Sequence, residues 1–248
     1  MKSIKQRFWE IDFLRGIAIV MMIIFHLMFD LAYFGSYSIN VSSGFWLYFA
    51  RATALMFIFL VGISLALSFS KAGNLRKWRI KNLKRGLVVF FFGLIITLIT
   101  WLFLREEFII FGILHFIGIS IIISMFFIDL KHWNLLLGIF LISLGIWLSD
   151  FTFNFPWLLW LGFQPASFYT LDYYPLLPWF GVVLIGIYFG GLLYKKNTRK
   201  FKIPDFSKSL LVKLFGFLGR NSLLIYLMHQ PILIVLLYVL GIVKSGFL

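Results

Sequence analysis

Asp12-Phe-Leu-Arg-Gly-Ile-Ala-Ile-Val-Met-Met-Ile-Ile-Phe-His-Leu-Met-Phe-Asp30 is the stretch that decides the fold. It is long and apolar enough to predict a membrane-spanning helix. The same stretch also carries Arg15, His26 and a carboxylate at each end, which are costly side chains at membrane depth. At about 100° per residue, the eleven steps from Arg15 to His26 amount to roughly 1100°, about 20° past three full turns. These polar side chains therefore share one stripe, which must face protein or water rather than lipid.

This polar stripe admits a structural and a functional interpretation. A lone polar residue on an apolar helix most often belongs to a satisfied buried network that fixes helix packing. An arginine, a histidine and two carboxylates on one stripe favour a pathway or an active site, because ionisable residues inside a membrane usually mark one.

The composition places the whole chain in the membrane. Of its 248 residues, 62% are hydrophobic, 21% aromatic and only 13% charged, and the mean hydropathy is +0.98. A soluble domain of this size could not hide so much apolar surface. We expect a single integral-membrane domain over residues 1–248, with an all-α fold. The N-terminus does not resemble a cleaved signal peptide, since its apolar run is too long and contains Arg15.

Two further chemistries are excluded by composition. The absence of cysteine excludes disulfides and thiolate ligands or nucleophiles. The four histidines are too scattered for a zinc motif, so no metal site is predicted. The net charge of +14 could suggest nucleic-acid binding, but the cationic residues cluster in the loops of a membrane protein, so no nucleic-acid partner is expected.

Hydropathy predicts a polytopic bundle of about seven transmembrane helices, over residues 11–34, 45–69, 86–104, 108–128, 135–148, 179–194 and 222–243. Residues 150–178 differ, being rich in proline, tryptophan and tyrosine. We interpret them as an aromatic, proline-containing outer segment that forms a lid or re-entrant element. Gly186 and Gly190 give the sixth helix a small-residue face for close packing.

The distribution of lysine and arginine predicts the orientation. These residues concentrate in the N-terminal lead, in residues 71–85, in the turn at 129–132 and in residues 195–213, whereas the opposite loops hold only Arg105, with Lys244 near the C-terminus. The pattern predicts a cell-membrane protein with a cytoplasmic N-terminus and an external C-terminus. The same basic loops could attract anionic lipid or an anionic cytosolic cofactor.

With this topology the polar residues of the predicted helices fall into two layers. The outer layer contains His26, Asp30, Arg51 and His115. The inner layer contains Asp12, Arg15, Arg220, Asn221 and Ser222, with His229 two turns above it. Two layers joined by one stripe predict a transmembrane site with an inner and an outer entrance.

Four blocks of the sequence carry a family resemblance: Ile11-Asp-Phe-Leu-Arg-Gly-Ile-Ala-Ile-Val-Met-Met-Ile-Ile-Phe-His26 with Phe29-Asp30, Phe111-Gly-Ile-Leu-His-Phe-Ile-Gly118, Pro178-Trp-Phe-Gly181 and Asn221-Ser-Leu-Leu-Ile-Tyr-Leu-Met-His229. They resemble the prokaryotic membrane proteins related to the heparan-alpha-glucosaminide N-acetyltransferase catalytic domain. The Arg15–His26 spacing is also similar to that of the wider transmembrane acyltransferases, including acyltransferase family 3. The lysosomal enzyme of the family has its catalytic histidine in the loop after this first helix. Residues 35–44 contain no histidine here, so His26 is the candidate.

The resemblance implies acyl transfer from cytosolic acetyl-CoA, the acyl donor substrate, to a hydroxyl or amine of a sugar, amino sugar or lipid-linked glycan at the outer side. His26 would act as the base, because its ordinary pKa lies near neutrality, and Asp30 would orient it. Arg51 or His115 would stabilise the oxyanion. The cofactor-binding residues would be Arg15, Arg220, Ser222 and His229, with the basic groups pairing with CoA phosphates. Between Arg15 and His26, the stripe offers the apolar wall Ala18, Ile19 and Met22 to a pantetheine arm.

A proton-coupled transporter is the alternative from another functional class, since membrane His, Asp and Arg residues also form proton relays. The sequence shows no internal repeat of the kind that many carriers have. Direct transfer and an acetyl-histidine intermediate are both open at this stage, and so is homo-oligomerisation. Membrane lipid is the expected surrounding partner.

Overall fold

The computed structural model describes residues 7–35, 37–195 and 198–242. Within these ranges the chain is helical, which confirms the predicted all-α membrane bundle. The eight α-helices are α1 (Trp9–Phe34), α2 (Gly44–Ser70), α3 (Leu75–Phe103), α4 (Ile113–Phe127), α5 (Trp133–Leu148), α6 (Leu176–Leu193), α7 (Leu210–Arg220) and α8 (Ser222–Val239). The described part of the chain also has a 3-10 turn at Leu159–Leu161 and an antiparallel pair of two-residue strands, β1 (Tyr194–Lys195) and β2 (Thr198–Arg199).

An apolar helix occupies each of the seven predicted membrane segments. Five of these helices, α1, α2, α3, α6 and α8, are long and apolar enough to cross a membrane. The other two, α4 and α5, have 15 and 16 residues and rise only about 22–24 Å, which is short of the roughly 30 Å of a bilayer core. The orientation stays a prediction, and Lys2, Lys5, Lys196, Val243 and Lys244, which also entered the topology, lie outside the described residues.

Helix α3 begins at Leu75, well before the predicted start at residue 86. The Asn74 side chain caps it by accepting the Lys77 backbone N–H at 2.9 Å. The basic residues that follow are good helix formers. The stretch interpreted as a basic loop is therefore largely the first turns of a long helix.

Helix α7 was not predicted, because its eleven residues lie in a stretch interpreted as a basic loop. It rises about 16 Å, too little to span a bilayer. Gly216 and Gly219 lie one turn apart and are buried, whereas Leu210, Leu214 and Phe217 on the other face are exposed. Gly219 lies against the Asp12 carbonyl and Gly16 lies against the Phe215 carbonyl, each so closely that a Cβ atom would collide with the oxygen. Glycine is thus required for the contact between α7 and α1.

The described chain divides into two compact units. The first contains α1, the beginning of α2 through Phe57, α7 and α8. The second extends from Ile58 to Lys202. The sequence-based assignment of one domain stays a prediction.

Close glycine contacts hold the second unit together. Gly86 of α3 meets the Gly118 carbonyl of α4, and Gly138 of α5 meets the Gly181 carbonyl of α6. Gly186 lies against the Phe59 carbonyl of α2. The predicted small-residue face on the sixth membrane helix is thereby confirmed, and its partner is α2.

The aromatic segment between α5 and α6 is irregular and is fastened to the residues before α4. Tyr174 N–H donates to the Phe111 carbonyl at 3.0 Å, and Leu171 N–H donates to the Glu107 carbonyl at 3.2 Å. The Thr170 hydroxyl donates to the Phe108 carbonyl at 2.7 Å. These bonds keep residues 107–112 out of α4, which starts at Ile113 rather than at residue 108. They give the segment the protein contacts that irregular backbone requires in a membrane protein.

Candidate functional site

Helix α1 is continuous from Trp9 to Phe34, so the polar stripe lies on one helix as predicted. At its inner end Arg15 donates to the Asp12 carboxylate at 3.2 Å, with the two side chains 23% and 15% exposed. An ion pair three residues apart on a helix contributes only a few tenths of a kcal/mol. The pair therefore orients the guanidinium without being a strong reason for its presence.

The start of α8 lies next to this ion pair. Gly219 packs on the Asp12 carbonyl and the Gly16 nitrogen, and α8 begins three residues later at Ser222. The structure thus brings the Asp12–Arg15 end of α1 next to the junction of α7 and α8, which contains Arg220, Asn221 and Ser222, within the first unit. Arg220 is exposed and Ser222 is partly buried. The apolar wall predicted to line the pantetheine arm is not accessible in the structure. Ala18 and Ile19 are fully buried and Met22 is 5% exposed, so protein covers all three side chains.

Two histidines meet at the outer end of the stripe. The ring centroids of His26 on α1 and His229 on α8 are 4.7 Å apart, at an interplanar angle of 75°. The sequence placed His229 with the inner layer. In the structure its ring contacts His26, about 16 Å along α1 from Arg15.

Asp30 is held by a residue that the sequence interpretation missed. The Gln230 side-chain amide donates to Asp30 Oδ1 at 2.6 Å. Asp30 is fully buried. The amide of Gln230, rather than the imidazole of His26, is therefore the hydrogen-bond donor to this carboxylate. A signal was present, since Gln230 is a polar residue beside His229 in an otherwise apolar helix.

The cluster contains buried polar atoms with unused hydrogen-bonding capacity. His229 Nδ1 lies 2.5 Å from the Tyr226 carbonyl. A carbonyl can only accept, so Nδ1 carries the proton and Nε2 has the lone pair. In the described residues, His229 Nε2, Asp30 Oδ2 and Gln230 Oε1 are buried and have no hydrogen-bond partner. All three are acceptors in this arrangement, so the cluster is suited to bind a group that donates, such as a hydroxyl or an amine.

Arg51 belongs to the same unit but has a different environment. It lies two turns into α2 and is exposed. Its role at the oxyanion stays a prediction.

His115 lies in the second unit and both of its ring nitrogens have partners. Gly112 N–H donates to its Nδ1 at 3.2 Å. The Thr97 hydroxyl donates to the Ile109 carbonyl at 2.6 Å and therefore accepts from His115 Nε2–H at 3.3 Å. The ring is 2% exposed and stacks on Phe111. These contacts favour a structural histidine over an oxyanion donor, whose N–H must be available to substrate.

Asp172 was also missed by the sequence interpretation. It accepts the first backbone N–H of α4, that of Ile113, at 2.9 Å. A carboxylate is favoured at a helix N-terminus. Burial raises the pKa of Asp172 to about 6, although the Ile113 hydrogen bond acts in the opposite direction. Burial, followed by the charge of Asp172, raises the pKa of Tyr174. Asp172 thus joins the aromatic outer segment to the first residue of α4, Ile113, which lies two residues before His115.

The residues of the described ranges contain no group of three or more histidine or acidic side chains placed to hold a metal ion. The inner residues fit the anionic part of a CoA molecule in charge, since Arg15 lies at the inner end of α1 and Arg220 at the end of α7 is exposed. Ala18 and Ile19, which lie between Arg15 and His26 along α1, are fully buried.

A protein-family model matches most of the chain. The family described as "Heparan-alpha-glucosaminide N-acetyltransferase, catalytic" matches residues 7–231. No curated protein matches the chain, and no solved structure does. The matched range includes α1 and the His229–Gln230 pair of α8.

Proposed function

The chain belongs to the heparan-alpha-glucosaminide N-acetyltransferase catalytic family, and from this premise we propose that it transfers an acetyl group from acetyl-CoA to a hydroxyl or amine of a sugar, amino sugar or lipid-linked glycan. The family supports acetyl transfer at a membrane in general terms. The donor, the acceptor class and the residue roles are our proposal. Its main support is the cluster of three unpartnered acceptors beside His26.

His26 is the proposed base. A thioester is already activated, so the protein needs chiefly to remove the proton of the incoming nucleophile, which typically contributes 10²–10⁴-fold. His26 is the histidine of the cluster whose nitrogens are not committed to a backbone carbonyl, whereas His229 Nδ1 is bound to Tyr226. The unpartnered acceptors on Asp30 and Gln230 can hold the donating group of the acceptor next to this ring.

Asp30 is proposed to position the acceptor. Its Oδ1 is occupied by Gln230, and its Oδ2 is free to accept from a hydroxyl or amine. The fixed geometry of the carboxylate would restrict where that group can lie. Arg51 is the proposed oxyanion donor, because its guanidinium is exposed and uncommitted to any described carboxylate.

The donor's phosphates are proposed to bind at the inner end, where Arg15 pairs with Asp12 and Gly219, the residue before Arg220, packs on the Asp12 carbonyl. Guanidinium groups bind phosphate through charge-assisted, often bidentate hydrogen bonds. Acetyl-CoA, when bound, supplies the acyl group as a thioester. The buried wall at Ala18 and Ile19 requires the acyl arm to approach His26 along another face of α1 or after a local opening.

The test is acetyl transfer by purified protein in nanodiscs, with radiolabelled acetyl-CoA and a panel of sugars, amino sugars and lipid-linked glycans. We expect product that depends on both protein and acceptor. Proteoliposomes loaded with the same acceptors test the transporter alternative in parallel. Acceptor flux without any acetylated product would contradict the proposal and favour transport.

A further inference from the structure

His229 has a defined orientation that acetyl-CoA binding does not explain. It is 7% exposed. Its Nδ1–H is bound to the Tyr226 carbonyl one turn earlier on its own helix, so the ring cannot rotate freely. Its Nε2 is buried and unpartnered among the described residues. A neutral imidazole held in this tautomer can accept one hydrogen bond at Nε2.

The nearest ring to His229 is that of His26, at 4.7 Å between centroids. If His26 takes up a proton, it becomes a cation with an N–H on each ring nitrogen. A buried cation needs a hydrogen-bonding partner, since an unpaired charge away from water is costly. In the proposed site Asp30 does not fill this place, because its Oδ1 accepts from Gln230 and its Oδ2 is assigned to the hydroxyl or amine of the acceptor substrate. The lone pair of His229 Nε2 is the uncommitted acceptor on the ring that contacts His26.

We propose that His229 is a positioning residue for His26, which stabilises the His26 imidazolium by accepting one of its N–H groups at Nε2. The inference rests on the proposed function, because it requires His26 to carry a proton. It differs from the cofactor-binding role that the sequence suggested for this residue.

The acceptor's oxygen or nitrogen attacks the thioester carbonyl carbon, and its proton moves to one nitrogen of His26. The other N–H of the resulting imidazolium donates to His229 Nε2. The C–S bond then breaks, and the CoA thiolate takes the proton back from His26. His229 gains and loses a hydrogen bond but no net proton, and its Nδ1–H stays on the Tyr226 carbonyl throughout.

Steady-state kinetics of two His229 variants in nanodiscs test the proposal. His229→Phe keeps a ring against His26 but removes the acceptor. We expect kcat to fall about 10- to 100-fold, the range for losing a hydrogen bond to a charged group, with the KM for acetyl-CoA unchanged. His229→Gln places an amide oxygen near the position of Nε2 and should recover part of kcat. His132→Phe, at an exposed histidine before α5, is the matched control and should behave like the wild type.

Each kinetic outcome decides between the roles of His229. A raised KM for acetyl-CoA with unchanged kcat would indicate cofactor binding and overturn the proposal. Wild-type kcat in His229→Phe would also overturn it. If His229→Phe does not fold, the comparison rests on His229→Gln, which should be more active than His229→Asn, whose shorter amide reaches only the Nδ1 position.

A spectroscopic measurement separates this inference from the proposed function. The chain has four histidines, so ¹⁵N-histidine NMR in nanodiscs can assign each by substitution. We expect His229 in the Nδ1–H tautomer, and we expect the His26 signals to change in His229→Phe but not in His132→Phe. An Nε2–H tautomer for His229 would refute the inference even in an active enzyme. Absence of acetyl transfer from the wild type, with the expected NMR result, would refute the proposed function instead.

Discussion

Replacing Gln230 by leucine removes the amide that donates to the fully buried Asp30 carboxylate at 2.6 Å. Asp30 Oδ2 has no partner among the described residues, so the variant would leave both oxygens unsatisfied. Leaving a buried polar group without a hydrogen-bond partner costs about 1–3 kcal/mol, and more when the group is charged. For a chain of about this size, 1 kcal/mol corresponds to roughly 2–4 °C in Tm. We therefore expect Tm to fall by about 2–12 °C.

A double-mutant cycle shows whether this loss comes from the hydrogen bond. Asp30→Leu should also destabilise, because it strands the Gln230 amide. The combination of both leucines removes donor and acceptor together and should cost less than the sum of the single changes, by at least about 1 kcal/mol. The assay is thermal unfolding in nanodiscs by intrinsic fluorescence. Met228→Leu, on the exposed face of α8, is the control and should stay within about 0.5 kcal/mol. Additive single effects would refute the contact between α1 and α8 at this position.

Three other predictions concern packing, the outer segment and the inner end. Gly219→Ala should destabilise the protein by about 1–3 kcal/mol or more, because the added Cβ would collide with the Asp12 carbonyl. Gly191→Ala, where the added Cβ meets open space, is the control and should be neutral or slightly stabilising in the same unfolding assay. Burial raises the pKa of Asp172 to about 6, so the contribution of the protonated side chain to stability is present below about pH 4 and is lost as pH rises to about 6. Asp172→Asn should remove that loss, so the Tm of the variant relative to wild type should rise by several degrees between pH 4 and 7. A Tm difference that stays constant over this range would contradict the assignment. Arg15→Ala should weaken acetyl-CoA binding about 10-fold or more by calorimetry and cost only about 0.5 kcal/mol of stability. A larger loss of stability with unchanged acetyl-CoA affinity would mean that Arg15 has a structural role and does not bind the donor.

The membrane helices could be predicted because their signal is contained within each segment. Twenty apolar residues in a row predict a spanning helix without knowledge of any neighbour. The shared stripe of Arg15 and His26 also follows from helix geometry alone, once the segment is known to be helical. Helix α1 from Trp9 to Phe34 confirms the predicted helix at 11–34 to within two residues.

Helix α7 illustrates what hydropathy does not predict. Its eleven residues include Lys213 and Arg220 and follow a basic stretch, so a long window averages the signal away. Its pattern is a short-range one, with leucine and phenylalanine on one face and Gly216 and Gly219 on the other. A search for amphipathic segments of about three turns would have found it.

The contacts of the candidate site depend on how two distant segments pack. Asp30 and Gln230 are 200 residues apart, and no local pattern specifies that they meet. The sequence assigned His229 to the inner layer from its distance to Ser222 along one helix. Its ring instead contacts His26, because the depth of a residue depends on where its helix begins and how it tilts as well as on residue count. His115 illustrates the converse case, since its two ring partners, Gly112 and Thr97, identify a structural environment that its sequence could not show.

The rate of acetyl transfer by His26→Asn, compared with wild type in the same nanodiscs, tests the central claim most directly. Asparagine keeps some hydrogen bonding but cannot act as a base near neutral pH. We expect a folded variant that still binds acetyl-CoA and transfers the acyl group about 10²–10⁴-fold more slowly. His132→Asn, at an exposed histidine, should transfer at the wild-type rate. Transfer by His26→Asn at close to the wild-type rate would show that His26 is not the base.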